Sequence, residues 1–407
     1  MMVEAIVTPA EVSGVLPNIL SGGTYKYVVD FSEDSIVMSR YLASSPMNET
    51  KQTLAIRPTN ANDVIAMPSE TLRAAAQHKI DFKTKPLGAL GVLESLAVQM
   101  ALVQDSLSPV IKQKALFVFA ADHGIAEEGV SAFPQEVTRQ MVLNFLAGGA
   151  AINVLCRHNA IAISIVDIGV KGDPFNKNGL IEKRVAGGTC NFSRTTAMSR
   201  EQAEAAIAIG KEVFLNKQSK EKIDIIGLGE MGIANTTAAT AIICAVTGLT
   251  PAQCAGRGTG IDGKGLQHKI DVLEKALRFH APSSKDPLEI LQTVGGFEIA
   301  GMAGAALAAA SNRCAVVLDG LISTAAGLIA YLIDPRCAHY FVSGHKSVEV
   351  GQKAALDYMG LKPVLDLGMR LGEGTGAALT INLVEAACRI MGEMASFEEA
   401  GVSGRDE

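Results

Sequence analysis

Residues 222–240, KIDIIGLGEMGIANTTAAT, join an apolar run to a glycine-rich turn and to the start of a helix-length segment. The chain contains five more apolar runs that end in glycine-rich or polar turns, at 114–124, 160–169, 313–320, 338–346 and 362–374. Near-continuous apolar runs of this length are typical of strands buried on both faces, as in a parallel sheet covered by helices. The sequence therefore predicts an α/β fold: a Rossmann-like, open, mostly parallel six-stranded sheet with helices on both faces.

Helix-length segments lie between these runs. The predicted helices are 136–146, 200–215, 235–246, 269–279, 297–309, 324–332, 346–359 and 376–391, with further helix on either side of KPLGALG (85–91). Open α/β sheets bind ligands beyond the carboxyl ends of their strands, so polar residues that follow the runs are candidate site residues. These residues are Asp122, His123, Asp167, Glu230, Asp319, His345 and Glu373.

We expect four regions along the chain. They are an extension of unknown role over 1–50, a helical segment over 51–110, an α/β domain over 111–375, and a C-terminal helix and tail over 376–407. The second and fourth regions are expected to form one small helical domain. Residues 1–46 contain five acids and two bases, unlike an Arg-rich transit peptide, and Met47 is an alternative start.

Composition restricts the class of ligand. The chain has 407 residues and a net charge of −6, and it lacks the Lys/Arg-rich stretch of a nucleic-acid-binding protein. Its longest apolar or small run, 299–310, is shorter than the roughly 18 residues that span a bilayer. Seven cysteines without a C-x-x-C pair indicate reduced core thiols. We expect a cytoplasmic protein with small-molecule substrates and with neither nucleic acid nor membrane as a partner.

GLGEMG (227–232) matches the G-x-G-x-x-G fingerprint of dinucleotide-binding folds. That interpretation requires an acid about 20 residues further on, at the end of the next strand, to bind ribose hydroxyls. The next acid is Asp262, which lies in another glycine-rich loop. An NAD-dependent dehydrogenase is therefore a disfavoured alternative, and a non-catalytic nucleotide-binding sensor is a second alternative.

Two loops are candidates for binding phosphate. Asn235 and Thr236 start a helix, where free N–H groups and hydroxyls bind anions, although both residue types are equally common as plain caps. GRGTGIDGKG (256–265) contains five glycines and precedes a helix that carries Lys269. Backbone donors and a mobile ammonium group favour a phosphate site that needs no metal. The P-loop pattern is absent, so ATP chemistry is not expected.

AADHGIAEEG (120–129) concentrates acids around His123, but it has no metal-ligand spacing such as H-E-x-x-H. We predict a structural loop in which Asp122 and His123 are hydrogen-bonded, and we expect no metal and no other cofactor. The residues just downstream are core residues or the walls of a slot for a flat aromatic ligand. They are Phe133, Pro134 and Met141.

Glu373 lies between Gly372 and Gly374 at the start of an apolar helix. The helix dipole favours an acid there by about 0.3–1 kcal/mol, which explains the acid but not the glycines. Glycine on both sides lets the backbone approach a ligand. Desolvation beside Leu371 and Met231 would raise the pKa of this carboxyl and the helix N-terminus would lower it, so the net direction stays open.

From about residue 71 to 395 the sequence resembles the nicotinate-nucleotide-dimethylbenzimidazole phosphoribosyltransferase family. The matching stretches include KPLGALGVLESLA, ADHGIAEEGVSAFPQEVT, GEMGIANTTAA, VGGFEIAGMAGAALAAA, GHKSVE and MRLGEGTGAALTINLVEAA. The resemblance implies transfer of the 5-phosphoribosyl group of nicotinate mononucleotide to 5,6-dimethylbenzimidazole with inversion at C1. The products would be α-ribazole 5'-phosphate, used in cobalamin nucleotide loop assembly, and nicotinate. It also implies a homodimer.

The resemblance implies that Glu373 is the general base and that Glu230 is an auxiliary carboxylate that positions the reacting bases. The implied binding residues for the phosphoribosyl group and the turn beside it are Gly232, Asn235, Thr236, Gly258, Gly260, Lys269, Asp319, Gly320, Ser347 and Gly372. The implied slot for the flat base is formed by Phe133, Pro134, Met141, Met231 and Leu371. A member of the family has Ser and Gln in place of Phe133 and Met141, so dimethylbenzimidazole, adenine and a phenolic base all stay open.

Overall fold

The structure, a computed structural model, describes residues 3–7, 26–30, 36–41, 64–258 and 260–403. The chain divides into two compact units, residues 1–57 and 58–407. The first unit contains a three-stranded antiparallel sheet in the order β1-β3-β2, formed by β1 (Val3–Val7), β2 (Lys26–Asp30) and β3 (Ile36–Tyr41). The remainder of the predicted extension lies outside the described residues, and the four domain boundaries stay predictions.

The second unit is built on a seven-stranded parallel sheet in the order β10-β9-β8-β7-β4-β5-β6. Its strands are β4 (Lys114–Ala121), β5 (Ala162–Gly169), β6 (Leu180–Glu182), β7 (Ile225–Met231), β8 (Ala315–Leu318), β9 (Phe341–His345) and β10 (Pro363–Leu365). All six predicted strands are present. The prediction of six was wrong by one strand, since β6 is a three-residue edge strand and too short to give an apolar run.

The helices of this unit are α1 (Glu70–Asp81), α2 (Val92–Gln104), α3 (Glu136–Ala147), α4 (Ala151–His158), α5 (Arg200–Glu221), α6 (Asn235–Thr247), α7 (Pro251–Cys254), α8 (Gly263–His280), α9 (Pro287–Val294), α10 (Phe297–Ser311), α11 (Leu321–Ile333), α12 (Gly351–Met359), α13 (Thr375–Glu393) and α14 (Phe397–Ala400). Each predicted helix overlaps one of them. The prediction of helix over 346–350 was wrong, because α12 begins only at Gly351.

Helices cover both faces of the sheet. α10 and α11 pack against its central strands, and α13 packs against β7, β8 and β9 as well as against α2. The central strands β4, β7 and β8 are almost entirely buried, as the apolar runs indicate. None of the helices in residues 64–258 and 260–403 is long and apolar enough to cross a membrane.

Glycine allows α5 and α10 to pack backbone against backbone. A Cβ atom at Gly210 would lie 1.8 Å from the carbonyl oxygen of Gly301, and one at Gly304 would lie 2.0 Å from the carbonyl oxygen of Ile207. No side chain fits at either position without separating the helices. The run of small residues at 299–310 is therefore the sequence signature of this close helix contact.

We predict that Gly304→Ala destabilises the protein by about 2 kcal/mol, because the added methyl group overpacks the α5–α10 contact. The matched control is Gly392→Ala, where the added Cβ would have no atom within 4 Å. Alanine is a better helix former than glycine, so the control should be neutral or slightly stabilising. Thermal unfolding of both variants checks this; equal melting temperatures would contradict the packing account.

Candidate active site

A cleft of about 350 Å³ lies beyond the carboxyl ends of the parallel strands. Residues that follow β7, β8 and β9 line it, and so does the loop that leads into α13. A cleft of this size and position is where an open α/β sheet binds a small ligand. Of the residues that the resemblance implies in binding or catalysis, all but three line it; of the other strand-end candidates His345 lines it, whereas Asp122, His123 and Asp167 do not. The implied residues that line it are Phe133, Met141, Glu230, Met231, Gly232, Asn235, Thr236, Gly258, Asp319, Gly320, Ser347, Leu371, Gly372 and Glu373.

Pro134, Gly260 and Lys269 do not line this cleft. The carbonyl of Pro134 accepts a hydrogen bond from the N–H of Val137 at 3.2 Å, so Pro134 forms part of the turn that begins α3. Gly260 lines an adjoining cavity of about 550 Å³. Both residues are close in sequence to residues that do line the cleft, namely Phe133 and Gly258.

Lys269 is fully buried, which corrects the expectation of a mobile ammonium group. Its Nζ donates a hydrogen bond to Thr236 Oγ1 at 2.9 Å, and Thr236 itself lines the cleft. Burial lowers the pKa of Lys269 to about 8, although the nearby carboxylate of Glu349 raises it. Lys269 therefore acts on the cleft through the Thr236 hydroxyl and through its charge.

Three consecutive residues of the GEG turn have left-handed backbone conformations. The φ angles are +81° at Gly372, +62° at Glu373 and +92° at Gly374. Glycine adopts this conformation freely, but a glutamate there costs of order 1–3 kcal/mol. The two glycines are thus required by the turn itself, and the strain falls on the residue that the sequence analysis selected as the base.

Asp319 holds this turn in place. It follows β8, and its carboxylate accepts hydrogen bonds from the N–H groups of Gly374 at 3.1 Å, Gly376 at 2.6 Å and Ala377 at 3.1 Å. The carboxylate therefore caps α13, with both oxygens engaged by backbone. Burial raises the pKa of Asp319 to about 7 against the lowering effect of these three bonds. We interpret Asp319 as the residue that positions Glu373.

The direction of the pKa shift of Glu373 follows from its burial. Desolvation raises the pKa of its carboxyl, and a hydrogen bond from the backbone of Ile152, in the first turn of α4, lowers it by less. Desolvation therefore outweighs this hydrogen bond, and the net direction of the pKa shift, which the sequence left open, is upward. Glu373 Oε2 is buried and has no hydrogen-bond partner among the described residues, so it is free to accept a proton.

Glu230 is the second carboxyl of the cleft. Its pKa is raised to about 8, mainly by burial and also by the nearby carboxylates of Glu298, Asp319 and Glu373, against the lowering effect of the hydrogen bond that the Asn235 side chain donates to Glu230 Oε2. A Cβ atom at residue 372 would lie 2.4 Å from Glu230 Oε1. Glu230 therefore packs against the turn and is mostly protonated at neutral pH.

The glycines of GLGEMG serve the packing of the protein itself. A Cβ atom at Gly229 would lie 2.2 Å from the carbonyl oxygen of Glu373, and one at Gly227 would lie 3.2 Å from the Cβ of Ala377. One at Gly232 would lie 2.4 Å from the carbonyl oxygen of Ala121. The glycine-rich end of β7 lets α13 and its turn lie directly on the sheet, and the dinucleotide fingerprint loses its main support.

The loop at 120–129 is hydrogen-bonded, as predicted. His123 Nε2 lies 2.6 Å from Glu298 Oε1, and both side chains are fully buried. The Lys171 N–H donates to Asp122 Oδ2 at 2.8 Å. Within residues 64–258 and 260–403, no group of three or more His, Cys, Asp or Glu side chains is arranged to hold a metal ion.

Sequence reasoning missed several residues that line the cleft. Glu349 follows β9, and Met369 and Arg370 precede the GEG turn. His345, singled out only as a strand-end residue, accepts the N–H of Leu367 on Nε2 at 2.9 Å and so holds the loop that carries Met369 and Arg370. The stretches GHKSVE and MRLGEG were the signal that could have identified these residues.

The chain is similar to known proteins over most of its length. A family model described as phosphoribosyltransferase matches residues 65–402. The chain is 50% identical over 348 residues to the nicotinate-nucleotide-dimethylbenzimidazole phosphoribosyltransferase of Geobacter sulfurreducens, which covers 86% of this chain and 99% of the relative. The protein of the same name from Chloroflexus aggregans is 50% identical over 333 residues, with 82% and 94% covered. A crystal structure of a protein of that name from Thermus thermophilus has a TM-score of 0.78 at 41% identity, with 82% of this chain and 99% of that chain covered.

We predict that Glu230→Gln stabilises the protein increasingly as pH rises. The folded-state pKa of Glu230, about 8, lies above its unfolded value, so folding favours the protonated form. Its stabilising contribution is complete below about pH 4.3, the ordinary glutamate value, and is lost as pH rises toward 8. Glutamine stays neutral, so the melting temperature of the variant relative to the wild type should increase from about pH 5 to about pH 8.5. A difference that does not change with pH would refute the raised pKa.

Proposed function

The chain belongs to the nicotinate-nucleotide-dimethylbenzimidazole phosphoribosyltransferase family, and from that premise we propose how its cleft performs the reaction. The enzyme transfers the 5-phosphoribosyl group of nicotinate mononucleotide to 5,6-dimethylbenzimidazole or a related base, for cobalamin nucleotide loop assembly. The observation that carries the proposal is the Glu373 carboxyl, which lies in the cleft with a raised pKa and a buried oxygen that has no partner among the described residues.

Glu373 acts as the general base. One ring nitrogen of the benzimidazole forms a bond to C1 of the ribose, the bond from C1 to the nicotinate nitrogen breaks, and nicotinate leaves with that electron pair. The other ring nitrogen gives its proton to the Glu373 carboxylate. Desolvation makes this carboxylate a stronger base than an exposed glutamate. Attack on the face opposite to the leaving group inverts C1 and gives α-ribazole 5'-phosphate.

The other residues position the reactants and stabilise charge. Because the sugar develops positive character at C1, carboxyl groups at this end of the cleft favour the transition state. Glu230, mostly protonated at neutral pH, can donate a hydrogen bond to a reacting base while adding little repulsion to Glu373. Holding both reactants in line accounts for much of the rate, so a single proton acceptor is sufficient chemistry.

The flat base is proposed to lie in the apolar part of the cleft. Phe133, Met141, Met231 and Leu371 line the cleft, and Met369 adds a third thioether. Thioethers are flexible and make favourable contacts with aromatic rings. Such a slot suits a planar base such as dimethylbenzimidazole, and it tolerates related bases.

The phosphoribosyl group is proposed to lie at the polar end of the cleft. The N-termini of α6 and α11 point there, and Thr236 and Ser347 supply hydroxyl groups. Helix N-termini favour anions. Arg370 lines the same end and adds a charged group that the sequence analysis had not included. Lys269 contributes its charge from behind Thr236.

Two further properties are proposed, the first on the resemblance and the second on the composition and the reduced cysteines. They are assembly as a homodimer and a cytoplasmic location. A nucleotide-binding sensor with the same fold would bind the mononucleotide without turnover, whereas an NAD-dependent dehydrogenase would bind NAD and ignore the mononucleotide.

The deciding assay incubates the purified protein with nicotinate mononucleotide and dimethylbenzimidazole and measures nicotinate release by chromatography. We expect turnover without added metal. We predict that Glu373→Gln lowers turnover by at least about 100-fold, because the base is lost, while mononucleotide binding is retained. Calorimetry with the mononucleotide measures the binding.

The matched control is Glu393→Gln. Glu393 is exposed at the other end of α13, where it forms an ion pair with Arg389 at 2.8 Å. This substitution removes the same charge from the same helix, and the turnover of the variant should equal that of the wild type. Full activity of Glu373→Gln beside a normal control would remove Glu373 from the mechanism.

A further inference from the structure

Glu349 lies where the cleft meets the adjoining cavity of about 550 Å³. Its side chain is only 7% exposed. Oε1 accepts the N–H of Gly258 at 2.8 Å, and Oε2 is buried without a hydrogen-bond partner among the described residues. An acidic side chain is therefore held inside the glycine-rich loop whose backbone donors are proposed to bind phosphate.

The groups around this carboxylate are those expected around a bound anion. The Glu349 charge raises the pKa of Lys269, whose Nζ bonds to Thr236 Oγ1 close to Gly258. Arg370 lines the same cavity. The loop backbone also fits closely around the carboxylate, since a Cβ atom at Gly256 would lie 2.0 Å from Glu349 Oε2.

The N–H group of Gly258 can donate a hydrogen bond to only one anion at a time. Two anions in a site shielded from water also repel each other strongly. We propose that the Glu349 carboxylate and the 5'-phosphate of the mononucleotide are alternative occupants of one anion site. Glu349 thereby sets the affinity for the phosphate. This inference rests on the proposed function, because it takes the phosphoribosyl group to bind at the polar end of the cleft.

The exchange requires movement of the Glu349 side chain only, because the backbone before it is held by hydrogen bonds from the N–H of Lys346 to the carbonyl of Leu365 at 2.8 Å and from the N–H of Ser347 to Gln352 Oε1 at 2.6 Å. Residues 346–350 form a loop before α12, and the side chains of Val348 and Val350 are more than half exposed. The Glu349 backbone N–H donates to the Ser347 hydroxyl at 3.1 Å, a bond that rotation of the Glu349 side chain leaves intact. Displacing the carboxylate therefore disturbs no buried apolar contact of its neighbours Val348 and Val350.

The test is Glu349→Gln, which keeps an oxygen able to accept the Gly258 N–H but removes the charge. If a competing carboxylate lowers the fraction of protein that is ready to bind phosphate, removing it should tighten binding by about fivefold or more. Calorimetry with inorganic phosphate and with nicotinate mononucleotide measures both dissociation constants. Asp357→Asn is the matched control, because it removes the same charge from an exposed position on α12 and should leave both constants unchanged.

Gly256→Ala tests the same inference without changing the charge. Its methyl group would occupy the position of the Glu349 carboxylate and force that flexible side chain out of the loop. Because the phosphate is proposed to occupy the same position, the methyl group would exclude it as well, and phosphate binding should become weaker. Tighter binding in Glu349→Gln together with weaker binding in Gly256→Ala would separate competition for one position from a general effect of charge. Wild-type phosphate binding in Gly256→Ala would place the phosphate elsewhere, so this variant remains informative if Glu349→Gln folds poorly.

Unchanged or weaker phosphate binding in Glu349→Gln, or unchanged phosphate binding in Gly256→Ala, would overturn the inference, since Glu349 would then clamp the loop or contact the substrate. A wild-type protein that neither binds nor converts nicotinate mononucleotide would instead reject the proposed function. The two failures are distinct, because the inference fails only by comparison of variants with an active wild type.

Discussion

The site depends on the hydrogen bonds that the Asp319 carboxylate accepts from the backbone at the start of α13. They fix the end of β8 to the helix that carries the GEG turn. Without them, the left-handed conformation of Glu373 would have little to offset its strain. The glycines at the end of β7 complete this arrangement, because they let the turn lie against the sheet. One buried interaction between distant segments thus determines where Glu373 lies.

The close packing of this turn against the sheet also changes the pKa values of the carboxyl groups in the site. Glu230, Asp319 and Glu373 share one buried region, and burial raises the pKa of all three. Carboxyl groups this close do not all ionise, so their protonation states separate. Three N–H groups oppose the effect of burial on Asp319, whose pKa is about 7, whereas the pKa of Glu230 is about 8. Glu230 thereby supplies a neutral hydrogen-bond donor beside Glu373 at neutral pH.

Much of the fold could be predicted because its signals are local. Apolar runs identified six strands, and the residues after them identified most of the cleft. The short helices α4 and α9 were missed because eight residues give little periodicity, although Asp286 and Pro287 mark the start of α9. The features that could not be predicted depend on contacts between residues that are far apart in the sequence. Glu349 bonds to Gly258, 91 residues away, and neither that bond nor the burial of Lys269 leaves a local pattern. The direction in which the pKa of Glu373 shifts likewise depends on burial by distant residues, which the sequence does not reveal.

The central claim is that Asp319 creates the catalytic geometry by holding the GEG turn, and its most direct test is the steady-state kinetics of Asp319→Asn. An asparagine side chain has a single acceptor oxygen and turns an N–H toward one of the three backbone donors. The account predicts that kcat falls by about tenfold to 100-fold, as expected for a misplaced catalytic group, while KM for nicotinate mononucleotide changes little. Wild-type kcat in a folded Asp319→Asn protein would contradict the account.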